Sequence, residues 1–426
     1  MQLESREGLI NALMDAAELE HNLACLYLFA KFSLKKRSDE LTAIPAADSF
    51  DVLSILQGWT NELRKIAQQE MGHLGTVCNI LTLLGAEAHF DRPNFPPADG
   101  YYPPSTKFVL QRFGSVALQR FVEFERNANL PGVQAFGMAP RGVTYNHVGE
   151  LYAAILAAFE EISAGGISIA NDQLFQGYGK KEMDRNWLSS TVEVHEFGLG
   201  NAPPIPIDSL RGAVRAALVD VIEEGEGSQA PAGDSHYELF FKIAGDLKTL
   251  IAKYPGFDPA RPVADNPMTQ PHRGAGPGIN LITSQPAKDI AELFNNFYGT
   301  MLLVLRQTFA FSEDLSDAAQ RLQKMHRTSV LIMRGAVGSI GELLTDLPLS
   351  TGSVERAGAG FELYRPLYIS DNPQIAWSLI VERLQLAIDE CDRLLASGSL
   401  STQATAALTA AKGAAGQAAN NAKALI

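Results

Sequence analysis

The sequence predicts an all-α protein: a bundle of four long helices with one long crossover connection, followed by an additional C-terminal helical domain. Three observations predict this architecture. Apolar residues recur at helical spacing along most of the chain, whereas strand-like alternation is scarce. Glu70 and His73 lie three residues apart on one predicted helix, and Glu20 lies on an earlier helix of the same kind. Residues 86–146 separate the second predicted helix from the third and form the crossover.

The first two helices are predicted from long amphipathic patterns. Residues 7–32 form the first helix, and its apolar stripe contains Leu9, Leu13, Ala16, Leu23, Leu26 and Ala30. Residues 50–84 form the second helix. Gly85 ends it, because glycine readily adopts the left-handed conformation that follows many helix C-termini.

The crossover at residues 86–146 is rich in proline and glycine at both ends. A short amphipathic helix is expected inside it, at residues 114–127. Loops of this length are uncommon unless they have a function. A bundle whose helix pairs run parallel at this point needs one such crossover, because the chain must return along the bundle before the next helix begins.

The chain after the crossover predicts more helices and a domain boundary. Helical patterns are found at residues 144–170, 209–224, 235–253, 288–311, 315–344 and 373–395. Residues 172–206 are irregular, with a short strand expected at 191–197. Because residues 254–286 are rich in proline and glycine, they predict a boundary. We therefore expect four parts: a metal-binding bundle (1–253), a connection (254–286), a C-terminal helical domain (287–400) and an alanine-rich tail (401–426), docked as a helix or mobile.

Composition argues against several classes of partner. The chain of 426 residues carries a net charge of −13, and an acidic balance disfavours nucleic acid and anionic membranes. No apolar run is long enough to predict a membrane span, and charges interrupt the segment where a signal peptide would be apolar. The 3 cysteines fit a reducing compartment, so a cytoplasmic location is expected.

Glu20, Glu70 and His73 are the first candidate metal ligands. A glutamate and a histidine three residues apart share one helix face, the spacing with which four-helix bundles hold two metal ions. Glu20 lies among apolar residues, where a buried glutamate is rare unless it is paired or coordinating. Glu18 and His21 could occupy the solvated face of the same helix. Carboxylate and imidazole ligands in a bundle interior suit iron or manganese.

Glu150 is the expected ligand from the third helix. His147 precedes it by three residues, although a histidine near a helix N-terminus is more often a cap or a surface residue. Glu161 shares the face of Glu150 three turns away, roughly 16 Å along the helix and too far for the same metal pair. Whether either residue joins the site is left open.

Glu223, Glu226 and His236 are the expected ligands from the fourth helix and the segment after it. Where a second Glu-x-x-His would complete a dimetal bundle, this chain has Glu-x-x-Glu, a glycine-rich break and then a histidine. The alternative interpretation is a frayed acidic helix end with unrelated charges. An acidic helix C-terminus opposes the helix dipole unless a cation lies nearby, which favours coordination.

Several stretches of the sequence resemble one known family. It is the ferritin-like family that includes the iminophenyl-pyruvate dimer synthase domain, related to the imine dimer synthases of bisindole biosynthesis. The similar stretches are LEHNLACLYLFAKFSLK, QQEMGHLGTVCNILTLLGA, VGELYAAI, IEEGEGS followed by DSHYELFFKI, and the later FNNFY and GFELYRPLY. The resemblance implies a ferritin-like bundle. It also implies metal ligands at Glu20, Glu70, His73, Glu150, Glu226 and His236.

The predicted function is that of a non-haem dimetal oxidoreductase. Iron is the expected metal, as two ions, with manganese as the alternative, and dioxygen or peroxide is the expected oxidant. The resemblance implies a small substrate that is amino-acid-derived or an imine. Candidate pocket residues are Tyr101, Tyr102, Phe136, Tyr145 and Tyr152. The rival functions are ferritin-type iron storage or detoxification, and a metal-free binding or structural role on the same fold. A small homo-oligomer is expected for the enzyme.

Overall fold

The computed structural model of the chain is helical, and it describes residues 6–102, 107–126, 148–164, 210–226, 235–272, 278–310, 318–398 and 400–426. These residues group into two compact units. The first unit draws on Met1–His89, Pro97–Phe108 and Arg112–Ala260, and the second on Phe90–Pro96, Val109–Gln111 and Arg261–Ile426. The domain limits inferred from the sequence stay a prediction.

The first unit contains the bundle. Its helices are α1 (Arg6–Ser33), α2 (Ser49–Leu83), α3 (Ser115–Phe124), α4 (Val148–Ala164), α5 (Leu210–Glu226) and α6 (His236–Lys253). α1 packs against α2 and α4, α4 packs against α5, and α3 packs against α6. The predicted all-α bundle is therefore confirmed. The irregular stretch 172–206, with its predicted strand, lies outside the described residues.

α1 and α2 run antiparallel. Phe113 donates its backbone N–H to Ser33 Oγ at the end of α1 and stacks on Trp59, in the first third of α2. Glu20, earlier in α1, lies beside His73, later in α2. This arrangement brings the middle of α1 to the Glu70–His73 turn of α2.

α1 is buried along most of its length. The prediction that Glu18 and His21 face solvent was wrong, because their exposed fractions are 3% and 4%. The reason is that α1 packs against α2 and α4 at once. Glu18 instead accepts hydrogen bonds from the hydroxyls of Tyr101 and Tyr102, which satisfy its buried carboxylate.

The second unit is also helical. Its elements are β1 (Pro267–Met268), β2 (Asn280–Leu281), α7 (Ala287–Ala310), α8 (Ala318–Val330), a π-helical turn (Leu331–Val337), α9 (Gly338–Leu344), α10 (Pro373–Ala396) and α11 (Thr402–Lys423). β1 and β2 form a short parallel pair. The alanine-rich α11 packs against α10 and the π-helical turn. A Cβ at Gly335 would lie 2.3 Å from the Ala414 Cβ, so this approach requires glycine.

No helix within the described ranges is both long and apolar enough to cross a membrane.

Candidate metal centre

The helices of the first unit bring two groups of ligand-type side chains together. One group is Glu20, Glu70 and His73, and the other is Glu70, Glu125 and His236. In each group one potential ligand atom per residue lies within 4.8 Å of the others. Glu70 belongs to both, so its two carboxylate oxygens join the groups into one centre.

Local structure explains how these side chains converge. Glu70 and His73 lie one turn apart on the same face of α2. Glu125 is the residue at which α3 ends. His236 opens α6, whose N-cap Ser235 accepts a hydrogen bond from the backbone N–H of Glu238. The cap fixes the start of α6 and with it the position of His236.

The distances between the histidines and the carboxylates are short. His73 Nδ1 lies 3.1 Å from Glu70 Oε2 and 3.4 Å from Glu20 Oε2. His236 Nδ1 lies 3.0 Å from Glu70 Oε1 and 3.7 Å from Glu125 Oε2. The two imidazole rings are 5.8 Å apart, centroid to centroid. Both rings therefore present Nδ1 to the shared carboxylate of Glu70.

Two tyrosines hold the outer carboxylates of the centre. Tyr152 on α4 donates its hydroxyl hydrogen to Glu20 Oε1 at 2.6 Å. Tyr27 on α1 donates in the same way to Glu125 Oε1. In each carboxylate one oxygen is bound by a tyrosine, and the second oxygen is the one nearer to a histidine.

Buried atoms without hydrogen-bond partners show that the centre suits a cation. Among the described residues, Glu20 Oε2, Glu70 Oε1 and both ring nitrogens of His236 have no hydrogen-bond partner, and all are buried. Leaving such atoms unsatisfied costs about 1–3 kcal/mol for each group. A metal ion bound here would use the carboxylate oxygens and Nδ1 of His236, so the residues present fit a metal.

Sequence comparison identifies the family. The ferritin-like family profile matches residues 13–245. The chain belongs to the ferritin-like family. The membership predicted from the sequence stretches is therefore confirmed, and with it the ferritin-like class of the fold.

The chain is also similar to individual ferritin-like proteins. It is 27% identical to dichlorochromopyrrolate synthase of Lentzea aerocolonigenes over 394 residues, which cover 86% of this chain and 37% of that protein. This chain thus spans little more than a third of that relative's length. A crystal structure of a ferritin-like protein from Caulobacter vibrioides aligns with a TM-score of 0.45 at 17% identity, covering 82% of this chain and 97% of that one.

Burial and charge shift the pKa values of this ferritin-like centre. Burial, reinforced by the charge of Glu70, raises the pKa of Glu20 from 4.5 to about 8, against the opposing effect of His73. Burial also raises the pKa of Glu125. For Glu70, burial is outweighed by the charges and hydrogen bonds of His236 and His73, which hold its pKa well below the ordinary value.

The pKa values of His73 and His236 are raised, whereas burial alone would lower the pKa of an imidazole. Burial alone would lower the pKa of His236, but the carboxylates of Glu70 and Glu125 raise it from 6.5 to about 10. The carboxylates around His73 likewise raise its pKa well above 6.5, despite burial. The surrounding carboxylates thus favour the protonated imidazoles, so a metal ion competes with protons for their nitrogens.

A small cavity opens onto the centre. Its volume is about 20 Å³, which is room for about one water molecule. Its polar lining comes from the centre itself, and its apolar wall contains Leu23, Phe124, Val148, Val221 and Ile222.

The structure brings some of the predicted residues together and not others. Glu20, Glu70, His73 and His236 converge as predicted from the sequence. Glu150 is half-buried in the first turn of α4 and is in neither group of ligand atoms found among the described residues. From the same turn, Tyr152 is the residue that contacts the centre. The ligand role of Glu150 stays a prediction.

The fourth bundle helix also brings Glu224 to the centre. Glu224 accepts a hydrogen bond from His73 Nε2 at 2.8 Å. Glu223, its neighbour, is half-buried and belongs to neither ligand group of the described residues. The side chains of Glu226 and Glu161, and all of His147, Phe136 and Tyr145, lie outside the described residues. Their predicted roles are untested.

Sequence reasoning missed Glu125 and Glu224, yet each has a local signal. Glu125 directly follows the buried Phe121 and Phe124 of the short helix inside the crossover. Glu224 continues the buried stripe of α5, which is formed by Val214, Ala217, Leu218 and Val221. Spacing of three and four residues puts position 224 on this stripe and position 223 beside it.

Proposed function

We propose that this chain is a non-haem dimetal oxidoreductase that uses dioxygen or peroxide on a small, amino-acid-derived or imine substrate. The observation that carries the proposal is the sharing of Glu70 between two buried ligand groups. A carboxylate with one oxygen toward each histidine is suited to bridge two ions.

Iron is the proposed metal, with manganese as the alternative. The donor set is carboxylate oxygens and imidazole nitrogens, and neither group found among the described residues contains a cysteine. This set of ligands suits iron or manganese. Zinc and copper are more often selected by sites that contain thiolates. Iron held in such a set, when bound, supplies redox chemistry with dioxygen or peroxide.

The residues of the chain prepare the site for this chemistry. Glu20, Glu70 and Glu125 neutralise cationic charge, and all three are nearly completely buried. Tyr152 and Tyr27 hold the outer carboxylates in place through hydrogen bonds. The cavity beside the ligand atoms has an apolar wall, which offers water few hydrogen-bonding groups. Because the cavity has a volume of about 20 Å³, we assign it to the oxidant and the organic substrate to a position beyond it.

The substrate class rests on similarity. The relative from Lentzea aerocolonigenes is named a synthase of dichlorochromopyrrolate, and the chain covers 37% of its length. A similar activity here would join small imine-type molecules oxidatively. The test is oxygen consumption by the iron-loaded chain when it is offered a panel of amino-acid-derived imines, with the parent amino acids as the control.

The first experiment is the metal content of protein purified without chelators, by elemental mass spectrometry. We expect about two irons per chain, with an optical spectrum that changes on reduction and on exposure to oxygen. No stoichiometric metal after anaerobic reconstitution would refute the dimetal centre and favour a metal-free binding role. Many irons per chain in a large closed oligomer, measured by size-exclusion chromatography with light scattering, would instead support iron storage.

A further inference from the structure

We propose that Glu224 is a positioning residue that makes the Glu20–Glu70–His73 group the tighter of the two metal subsites. We call this group subsite A and the Glu70–Glu125–His236 group subsite B. The inference rests on the proposed dimetal function and goes beyond it, because it assigns an order of binding to the two subsites.

The two nitrogens of His73 have different partners. Nδ1 faces the carboxylates of Glu70 and Glu20, at 3.1 and 3.4 Å. Nε2 donates to Glu224 Oε2 at 2.8 Å. A carboxylate behind a ligating imidazole fixes its tautomer and ring orientation and raises its basicity as a ligand. Because Glu224 keeps a proton on Nε2, Nδ1 of His73 is the nitrogen that would bind a cation once the cation displaces the proton there.

His236 lacks this support in the described part of the chain. Its Nδ1 points at Glu70, at 3.0 Å, but Nε2 has no hydrogen-bond partner among the described residues. The residue is completely buried, so bulk water does not reach the ring. With no acceptor behind Nε2, neither the tautomer nor the basicity of this imidazole is set as it is in His73.

The outer carboxylates do not offset this difference. Glu20 in subsite A and Glu125 in subsite B each accept one tyrosine hydroxyl, from Tyr152 and Tyr27. Glu70 is common to both subsites. Among the described residues, the histidine environment is thus the feature by which the subsites differ, and Glu224 is its source.

Glu224 is also well suited to mutagenesis. Its side chain is 40% exposed, so its removal does not leave a large cavity in the core. Glu223 is the matched control, because it is a half-buried glutamate on the same helix, about 100° away around the helix axis. Glu224→Gln keeps an acceptor for His73 Nε2, whereas Glu224→Leu removes it.

The experiment is a titration of the metal-free full chain with cobalt(II), followed by calorimetry and by the visible ligand-field spectrum. In the wild type we expect two binding steps, the tighter one lost in His73→Ala and the weaker one lost in His236→Ala. Glu224→Leu should weaken the tighter step about 10- to 100-fold and alter its spectrum. Glu224→Gln should restore most of the affinity, and Glu223→Leu should match the wild type.

The outcomes separate this inference from the proposed function. Two steps of equal affinity, loss of the tighter step in His236→Ala, or equal behaviour of the Glu224→Leu and Glu223→Leu variants would overturn the role of Glu224 while leaving a dimetal centre in place. A wild type that binds no cobalt(II) and no iron would overturn the dimetal function itself.

Discussion

Two buried polar clusters, one in each unit, differ in whether their hydrogen bonds are complete. In the first unit, Glu20, Glu70 and His236 keep buried polar atoms that have no hydrogen-bond partner among the described residues. In the second unit, both carboxylate oxygens of Glu362 are bonded. Both clusters combine carboxylates with histidine, so residue type alone does not separate them. The difference teaches that unsatisfied buried ligand atoms mark a binding site, whereas satisfied ones mark a structural anchor.

In the Glu362 cluster, both carboxylate oxygens have hydrogen-bond partners. Glu362 Oε2 accepts from the Thr269 backbone N–H at 3.0 Å, from Thr269 Oγ1 at 2.9 Å and from Asn295 Nδ2 at 2.7 Å. Its Oε1 lies 2.6 Å from His272 Nε2. The cluster ties the segment after β1 to α7 and to the chain around residue 362. Each oxygen of Glu362 therefore already has a hydrogen-bond partner, and the carboxylate does not need a cation to satisfy it.

The largest expected effect is the loss of metal in Glu70→Ala. Because Glu70 belongs to both ligand groups, its removal should reduce the metal content from about two ions per chain to near zero. Glu362→Ala is the matched control from the second cluster. At a temperature at which this variant is still folded, it should bind as much metal as the wild type. Elemental mass spectrometry measures both. Full occupancy in Glu70→Ala would mean that the centre is not where the metal binds.

A large loss of stability is expected in Glu362→Ala. The substitution leaves buried donors of Thr269, His272 and Asn295 without their acceptor, which should lower the free energy of unfolding by about 3 kcal/mol. Urea denaturation, followed by circular dichroism, measures this change. An unfolding curve equal to that of the wild type would show that the cluster is not a structural anchor.

Metal-free Glu20→Gln should gain stability at high pH, a change that is opposite in sign to the loss in Glu362→Ala and smaller. The folded-state pKa of Glu20 is about 8, above its ordinary 4.5, because of burial. Its stabilising contribution is therefore present below pH 4.5 and is lost as the pH rises through about 8. Glutamine removes the buried charge, so the variant should be more stable than the wild type by on the order of 1 kcal/mol at about pH 9.

The control for this prediction is the same comparison at lower pH. At about pH 6 the Glu20 carboxyl holds its proton in the folded protein, and the advantage of the variant should shrink. Thermal unfolding of chelator-treated protein provides both values. A variant that is less stable at both pH values would place Glu20 with Glu362, as a structural residue rather than a binding one.

The smallest expected effect is a few-fold loss of metal affinity in Gly225→Ala. A Cβ at this position would lie 3.3 Å from Glu125 Oε2 and would press on the carboxylate. Gly212→Ala is the control on the same helix, since a Cβ there meets nothing within 4 Å. Alanine should favour the helix in both variants. Equal cobalt(II) affinity in the two variants would show that the position of Glu125 does not matter for binding.

Much of the fold and most of the centre follow from the sequence. Glu70 and His73 were predictable because residues three apart on a helix share a face whatever the helix packs against. Glu20 was predictable because it interrupts an apolar stretch. Glu224 was missed, since the spacing of Glu223 and Glu226 looked like a ligand pair. The buried stripe of α5 singles out the next residue instead. Glu125 was missed because it lies in the crossover, where periodicity is short.

The sequence by itself determined the helical class, the family and the pairs of residues that share a helix face, because these depend on spacing within one segment. The tertiary structure decided which faces meet. Packing of α1 against both α2 and α4 buried Glu18 and His21 as well as Glu20. The end of α3 and the start of α6 brought Glu125 and His236 together beside the shared carboxylate of Glu70. Such convergence depends on how helices distant in the sequence rotate and pack, which no local spacing specifies.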